Sequence, residues 1–394
     1  MWSSESADEI SISGSDLSTV PGIRTLTTLN SGAGPDVLTV DLLDRTDGPF
    51  VLNAEEGADI VKAEGSTLDL LVFGGLGVDT LETGSGDDIV LGDVGTIETA
   101  DGGTVTGGGG PGDITDGGTQ PIDRITSDPS GGDDDVIDTG AGDDLAIGGT
   151  GGDEIHGGPG GDVLIGGHSV AGAPDADDHI DGDGGEDLIA GDNASLDIDG
   201  PTDVMVLHDV ETTATPAPAG SGAGDVIRGG PDDDAIYGQQ GNDDLSGDSG
   251  DDTVEGNAGE DMISGGLGQD DLLGGGSALD GILDGQRAWT VAGEGLADAN
   301  DTIDGGDDAD VLLGDNGLIE RSSNGDGTPT RLADLFGARN AGYDSVVVRT
   351  VQMTDGIDPA GSFGADLLRG GDGHDELYGQ LDTTRTTVGR NVIA

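Results

Sequence analysis

The chain has 394 residues, 80 of them Gly, with no Cys and only 2% aromatic residues. Its 81 acidic and 13 basic residues give a formal net charge of −68, and hydrophobic residues make up 32%. This composition excludes a direct nucleic-acid partner, which would be repelled, a helical membrane span, which needs about 18 or more consecutive apolar residues, and any disulfide or cysteine-ligated metal centre. Low hydrophobicity with charge of one sign is also the mark of disorder, so a periodic core has to be found before a fold is assigned. The acids are 66 Asp and 15 Glu. A generic acidic surface would use more Glu; Asp with Gly points to turns and to oxygen ligands for a hard cation.

In chain order, MWSSESADEI at the N-terminus has neither a basic n-region nor an apolar h-region, so no cleavable secretory signal is read there. Residues 1–70 read as an irregular β cap or upstream segment, with degenerate rungs at Gly32–Val40 (GAGPDVLTV) and Glu56–Val61 (EGADIV). A nine-residue unit then takes over, clearest in GNAGEDMIS from Gly256 and GGLGQDDLL from Gly265. Gly occupies positions 1 and 4, Asp position 6 and an apolar residue position 8. Residues 71–95 hold a short array (Asp79, Asp88) and a variant turn, and 96–129 an insertion. Residues 130–195 hold Asp135, Asp144, Asp153, Asp162, Asp178 and Asp187 with a second variant turn. A hairpin insertion follows at 196–219, then a six-repeat array at 220–276 with Asp225, Asp234, Asp243, Asp252, Asp261 and Asp270. Residues 277–317 read as a linker, a short array (Asp301, Asp310) and a variant turn. Residues 318–361 are an insertion, and 362–394 a short array (Asp366, Asp375) with a C-terminal tail.

Position 8 tests this register. It is Leu81, Val90, Ile137, Ala146, Ile155, Leu164, Ile180, Ile189, Ile227, Ile236, Leu245, Val254, Ile263, Leu272, Ile303, Leu312, Leu368 and Leu377, apolar in all 18 repeats of a chain that is 32% hydrophobic. Position 4 is Gly at Gly77, Gly86, Gly142, Gly151, Gly160, Gly185, Gly241, Gly250, Gly259, Gly268, Gly364 and Gly373. The three Ala at this position (Ala176, Ala223, Ala299) open arrays, where a degraded edge unit is expected. The variant turns are Gly92–Gly95 (GDVG), Gly191–Ala194 (GDNA) and Gly314–Gly317 (GDNG), with their Asp at position 2, and they read as ends of arrays. Strand-like segments follow each; β-rich returns lie at Val204–Thr212 and Val346–Thr354 in the second and third copies, whereas the first runs through Gly- and Asp-rich sequence to Ile122–Thr126.

These units resemble the GGxGxDxUx nonapeptide of the RTX (repeat-in-toxin, hemolysin-type) calcium-binding proteins. The resemblance implies an all-β fold, a parallel β-roll or β-solenoid with hairpin and loop insertions. One repeat makes a turn and a three-residue strand, two repeats close one rung, and residue 8 points into a thin core between two sheets. Alternate repeats then share an edge, so Asp225, Asp243 and Asp261 line one edge and Asp234, Asp252 and Asp270 the other. The resemblance further implies several Ca²⁺ ions held by the 18 position-6 Asp and by turn carbonyls, those of the position-4 Gly among them. It also implies a chain that folds on Ca²⁺ outside a bacterial cell, exported by a type I secretion apparatus. The expected role is that of a scaffold within an adhesin, surface-layer or toxin-like protein rather than an enzyme. A second reading is the calcium-binding tail of a secreted hydrolase or epimerase with its catalytic domain elsewhere. The tail DTTRTTVGRNVIA does not look like the family's uncleaved export signal, which leaves room for a larger parent protein or a cell-surface partner.

Other motifs read as structure. GHSVA at Gly167–Ala171 resembles a nucleophile elbow, but a repeat register runs into it and no helix follows. None of the five His forms HExxH. Asp181–Gly185 (DGDGG) resembles the start of an EF-hand loop, but Asp192 stands at its twelfth position and β repeats flank it. Trp289 reads as a local core anchor. Paired acids such as Asp87/Asp88, Asp143/Asp144 and Asp251/Asp252 recur with the repeat, which favours ion binding over two-carboxylate catalysis.

Overall fold

A computed structural model describes residues 6–13, 27–42, 50–99, 104–107, 122–170, 175–199, 204–209, 224–276, 282–283, 286–287, 300–324, 328–336, 345–353 and 365–379. Trp289, Gly364, Ala171, Ala223, Ala299 and the C-terminal tail lie outside them. Among the described residues, two long parallel sheets of 13 and 12 strands dominate. The first sheet runs from Glu9–Ser13 through Thr80–Glu82, Val136–Asp138, Glu154–His156, His179–Asp181, Val226–Pro231, Asp244–Ser249, Met262–Leu267 and Thr302–Asp308 to Leu367–Arg369. The second runs from Thr27–Asn30 through Ile89–Leu91, Leu145–Ile147, Val163–Ile165, Leu188–Ala190, Ala235–Gln240, Thr253–Ala258, Asp271–Leu273 and Val311–Leu313 to Glu376–Tyr378.

The chain alternates between the sheets, and each strand pairs with the one two places on. Position 8 stacks on position 8 throughout. In the first sheet Ile155 pairs Ile180, Ile180 pairs Ile227, Ile263 pairs Ile303 and Ile303 pairs Leu368. The arrays therefore form one continuous roll, and the sequence between them is looped out. Strands of residues 9–73 join the same two sheets, with Leu38 and Val61 in the core. The core is one side chain thick. Seventeen of the 18 position-8 residues are buried in a single cluster, with Leu377 packed against it half-buried.

The outer faces of the sheets differ. The first presents exposed or half-buried polar residues such as Glu82, Asp138, Glu154 and His156. The second presents Leu91, Leu145, Ile147, Val163, Ile165 and Ala190, which pack with Ile97 and Ile125 of the insertions. Four of its strands, those under the first two insertions, read IVL, LAI, VLI and LIA, apolar at positions 7 to 9, as a sheet buried on both faces requires. The insertions join one another. Thr104–Gly107, Gly95–Thr99, Ile122–Ser127, Ala194–Asp199, Val204–Asp209, Ile282–Leu283 and Gln286–Arg287 form one seven-stranded antiparallel sheet.

The third insertion pairs Gly317–Arg321 with Arg349–Met353 and docks on the roll separately. Arg321 and Arg349 both bond Asp271, which is 2% exposed, and they also donate to the Gln269, Asp251, Asp252 and Ala309 carbonyls. Asp271→Ala should leave the buried Arg349 guanidinium uncompensated and destabilise the protein by ~3–5 kcal/mol. Asp304→Ala, which breaks the half-exposed pair with Arg369 (3.8 Å), should cost ~0–1 kcal/mol. Thermal unfolding of both variants in the presence of Ca²⁺ checks the contrast.

Candidate metal centre

Each turn of the roll begins at a position-1 residue, usually Gly, and ends on the position-6 Asp that starts the next strand. The turns leading into the first sheet form edge one, and those leading into the second form edge two. On edge one the backbone N–H of each Asp donates to Oδ1 of the next along the roll. Asp79 bonds Asp135, Asp135 bonds Asp153 and Asp153 bonds Asp178, each at 2.7 Å. The series continues to Asp225 (2.8 Å), Asp243, Asp261, Asp301 (each 2.9 Å) and Asp366 (3.1 Å). Edge two repeats it from Asp88 to Asp144 (2.6 Å), Asp162 and Asp187 (each 2.8 Å), Asp234 and Asp252 (each 2.9 Å), Asp270 and Asp310 (each 3.0 Å), and Asp375 (3.3 Å). All 18 predicted Asp thus stand in two unbroken ladders, although neighbours on an edge lie 18 to 65 residues apart in sequence. Asp36 and Asp59 extend edge one toward the N-terminus (2.6 and 2.7 Å). The degenerate rungs GAGPDVLTV and EGADIV carried that signal, and the strict repeat register passed over it.

Oδ1 is used by the ladder; Oδ2 is not. In Asp79, Asp135, Asp144, Asp153, Asp162, Asp178, Asp187, Asp225, Asp234, Asp243, Asp252, Asp261, Asp270 and Asp310 it is buried with no hydrogen-bond partner. A buried anionic oxygen is costly in that state, and native proteins supply a partner. The glycines show what surrounds it. A Cβ on Gly256, position 1 of its turn, would overlap Asp261 Oδ2 and stand 2.6 Å from the carbonyl oxygen of Gly274 in the next turn of that edge. Gly256 has no positive φ, so Gly is required there for space. Position 4 needs space and, in several repeats, conformation as well. Gly259 has φ +156°, and a Cβ on it would fall on the Gly241 carbonyl oxygen. The same stacking places Gly86 O against Gly142, Gly142 O against Gly160, Gly160 O against Gly185 and Gly250 O against Gly268. At position 1, Oδ2 and the carbonyl oxygen of the next turn therefore converge into a cradle that a side chain would fill, while at position 4 the stacked carbonyl lies beside Oδ1, as at Gly259 with Asp261 and Gly250 with Asp252.

The donor set is oxygen alone, carboxylate and carbonyl, which fits Ca²⁺. Among the described residues no three or more His, Asp or Glu side chains gather as a metal site.

Five long excursions leave from edge one without interrupting its ladder. The glycine before each excursion faces the Asp after it: Gly92 faces Asp135, Gly166 Asp178, Gly191 Asp225, Gly274 Asp301 and Gly314 Asp366. The variant turns are thus first halves of turns completed after the insertion, not ends of arrays. The repeat with Ala176 at position 4 lies inside the roll, so its Ala marks an interrupted turn and not a frayed edge. On edge two, from Thr83 to Asp375, every turn is uninterrupted.

Among the described residues of GHSVA, Gly167–Val170, there is no strand-to-helix elbow. His168 is fully buried, with Nδ1 3.0 Å from Ser127 Oγ and Nε2 2.8 Å from Thr150 Oγ1, and burial lowers its pKa to about 4. The EF-hand-like stretch is divided between a first-sheet strand ending at Asp181 and an edge-two turn holding Asp183.

Burial raises the ladder carboxyls, and neighbouring carboxylates add to it against the lowering effect of the N–H bonds. Asp135 and Asp243 are pushed up to about 9, Asp144 and Asp252 to about 8, Asp79, Asp153 and Asp225 to about 7 and Asp261 to about 6. A displacement from about 4 to about 7 corresponds to ~4 kcal/mol, more than the ~1.5–3 kcal/mol that the buried position-8 side chain of the same repeat returns. Folded values above unfolded ones make the ion-free roll most stable below about pH 4, and that stability is lost as pH rises through about 6 to 9. His168 acts in the opposite sense as pH falls toward 4, but as one group against many. With Ca²⁺ chelated, acidification from pH 8 to about 5 should increase β structure. Far-UV circular dichroism measures it, and unchanged spectra would contradict the burial of these carboxyls.

A comparison with protein families gives one match, the RTX calcium-binding nonapeptide repeat, described as four copies, over residues 71–96, 130–164, 219–254, 246–278, 297–317 and 360–383. Asp178 and Asp187 fall outside these segments, yet the ladders include them. A search of curated proteins gives no significant match.

Proposed function

We propose that this chain, whose arrays are RTX calcium-binding nonapeptide repeats, is a calcium-folded β-roll scaffold of a secreted or surface bacterial protein of adhesin, surface-layer or toxin-like type. The observation that carries the reading is the pair of Asp ladders whose buried Oδ2 atoms face carbonyl cradles. The 18 position-6 Asp would supply carboxylate ligands. The carbonyls at Gly77, Gly86, Gly142, Gly151, Gly160, Gly185, Gly241, Gly250, Gly259, Gly268 and Gly373 would complete the shells; Gly364 lies outside the described residues. Bound Ca²⁺ supplies the positive charge that the stacked carboxylates lack. The chain's own part is to hold the oxygens at the strand spacing and to exclude water with the position-8 core. Mg²⁺ suits the cradle poorly, because it demands octahedral geometry and keeps its waters. Sites of the extracellular class, with Kd ~10⁻⁴–10⁻³ M, would stay empty inside a cell and fill outside it, as export of an unfolded chain through a type I apparatus requires.

Circular dichroism of the full chain, titrated with Ca²⁺ from zero to ~10 mM and with Mg²⁺ in parallel, tests this. A cooperative coil-to-β transition is expected with Ca²⁺ only. No transition, or an equal response to Mg²⁺, would sink the proposal.

A further inference from the structure

In three of the interrupted edge-one turns, position 2 is an Asp. Asp93, Asp192 and Asp315 are 0, 0 and 1% exposed. In an ordinary turn the position-3 N–H donates to the position-2 carbonyl of the preceding turn on its edge. Leu76 donates to Glu55 O and Ala141 to Gly84 O (each 2.7 Å), and Gly184 to Gly158 O (2.9 Å). After the interrupted turns of Asp93 and Asp192 the acceptor is a side chain. Thr150 N–H donates to Asp93 Oδ2 (2.6 Å) and Gln240 N–H to Asp192 Oδ2 (2.7 Å). The space agrees with the hydrogen bonds. A Cβ on Gly158 or Gly266 would overlap the preceding position-2 carbonyl, whereas one on Gly149 would overlap the Asp93 carboxylate. The carboxylate therefore stands where a neutral carbonyl stands elsewhere.

A carboxylate has a second oxygen. Asp93 Oδ1 is buried with no hydrogen-bond partner, beside Gly132, where any Cβ would collide with it. Replacing a lost acceptor requires only an amide. The same motifs use one at position 3, where Asn193 Oδ1 accepts from His168 N–H (2.8 Å) and Asn316 Oδ1 from Gly276 N–H (2.9 Å). An acid at position 2 adds charge, in a place already surrounded by Asp79, Asp133 and Asp153.

We propose that Asp93 contributes its second, charged oxygen to a divalent-cation site at its interrupted turn, making one boundary site tighter than the ordinary ones. The inference rests on the calcium reading and goes beyond it by assigning a ligand outside the nonapeptide pattern. Affinity in calcium sites rises with the number of charged ligands, so this site fills first as Ca²⁺ rises. Its position at the neck of the first insertion means that it joins the two halves of that divided turn.

The variant D93N keeps the acceptor and removes the charge. Equilibrium dialysis of the full chain against radioactive calcium should show one tight ion in the parent that the variant lacks. The Ca²⁺ midpoint of folding should rise roughly two- to threefold. The control D87N changes the same charge at an exposed position and should keep the tight ion. Should D93N fail to fold at any Ca²⁺ concentration, the parent decides, because a parent whose ions all bind in one weak class overturns the inference. Retention of the tight ion and midpoint in D93N overturns the inference alone. Absence of any calcium binding by the parent overturns the calcium reading with it.

Discussion

Like charge stacked at the strand spacing is the constraint on which the rest of this molecule depends. Each position-6 carboxylate is held by an N–H from the turn before it, so the ladder places the next carboxylate one strand away, about 4.8 Å, and buried. Hydrogen bonding satisfies Oδ1 and, in 14 of the 18, leaves Oδ2 buried without a hydrogen-bond partner. A roll built this way has a thin core and cannot outweigh many buried charges by apolar burial. The glycines follow from the same constraint. Position 1 is open because Oδ2 occupies the space of a side chain, and position 4 because the carbonyl of the neighbouring turn does.

The two edges divide the labour. Edge two runs uninterrupted from Thr83 to Asp375, while edge one accommodates every long excursion in that span. An excursion can leave one turn and return to complete it because the strands on either side are already held by their neighbours in the sheets. The second sheet then needs covering on its outer face, and the insertions provide it through Ile97, Ile125 and Ile319. At the third insertion a different device serves, two guanidinium groups on one buried carboxylate. The asymmetry gives the roll a polar face, a covered face, a clean acidic edge and an edge from which all other structure grows.

Much of this was legible in the sequence. The register that puts an apolar residue at position 8 after Asp at position 6 foretold the core and the assignment of Asp225, Asp243 and Asp261 to one edge and Asp234, Asp252 and Asp270 to the other. The alternation of apolar triplets such as VLI at Val163–Ile165 with mixed ones such as EIH at Glu154–His156 also distinguished the covered sheet from the open one, a signal available but read only as position 8. GDVG, GDNA and GDNG were legible as variants. That they are halves of turns was not, because their completing halves, at Asp135, Asp225 and Asp366, lie 33 to 51 residues further on from Asp93, Asp192 and Asp315.

By itself the sequence determined the unit, its nine-residue period, its inward residue and its acid, because these rest on local steric and periodic rules that every repeat states again. Only the tertiary structure decided that the arrays make one roll, that Asp153 reaches Asp178 and Asp261 reaches Asp301 across looped-out chain, and that separate insertions share a sheet. Those outcomes depend on hydrogen bonds between strands distant in sequence, and such a bond leaves no mark on the residues that lie between its partners.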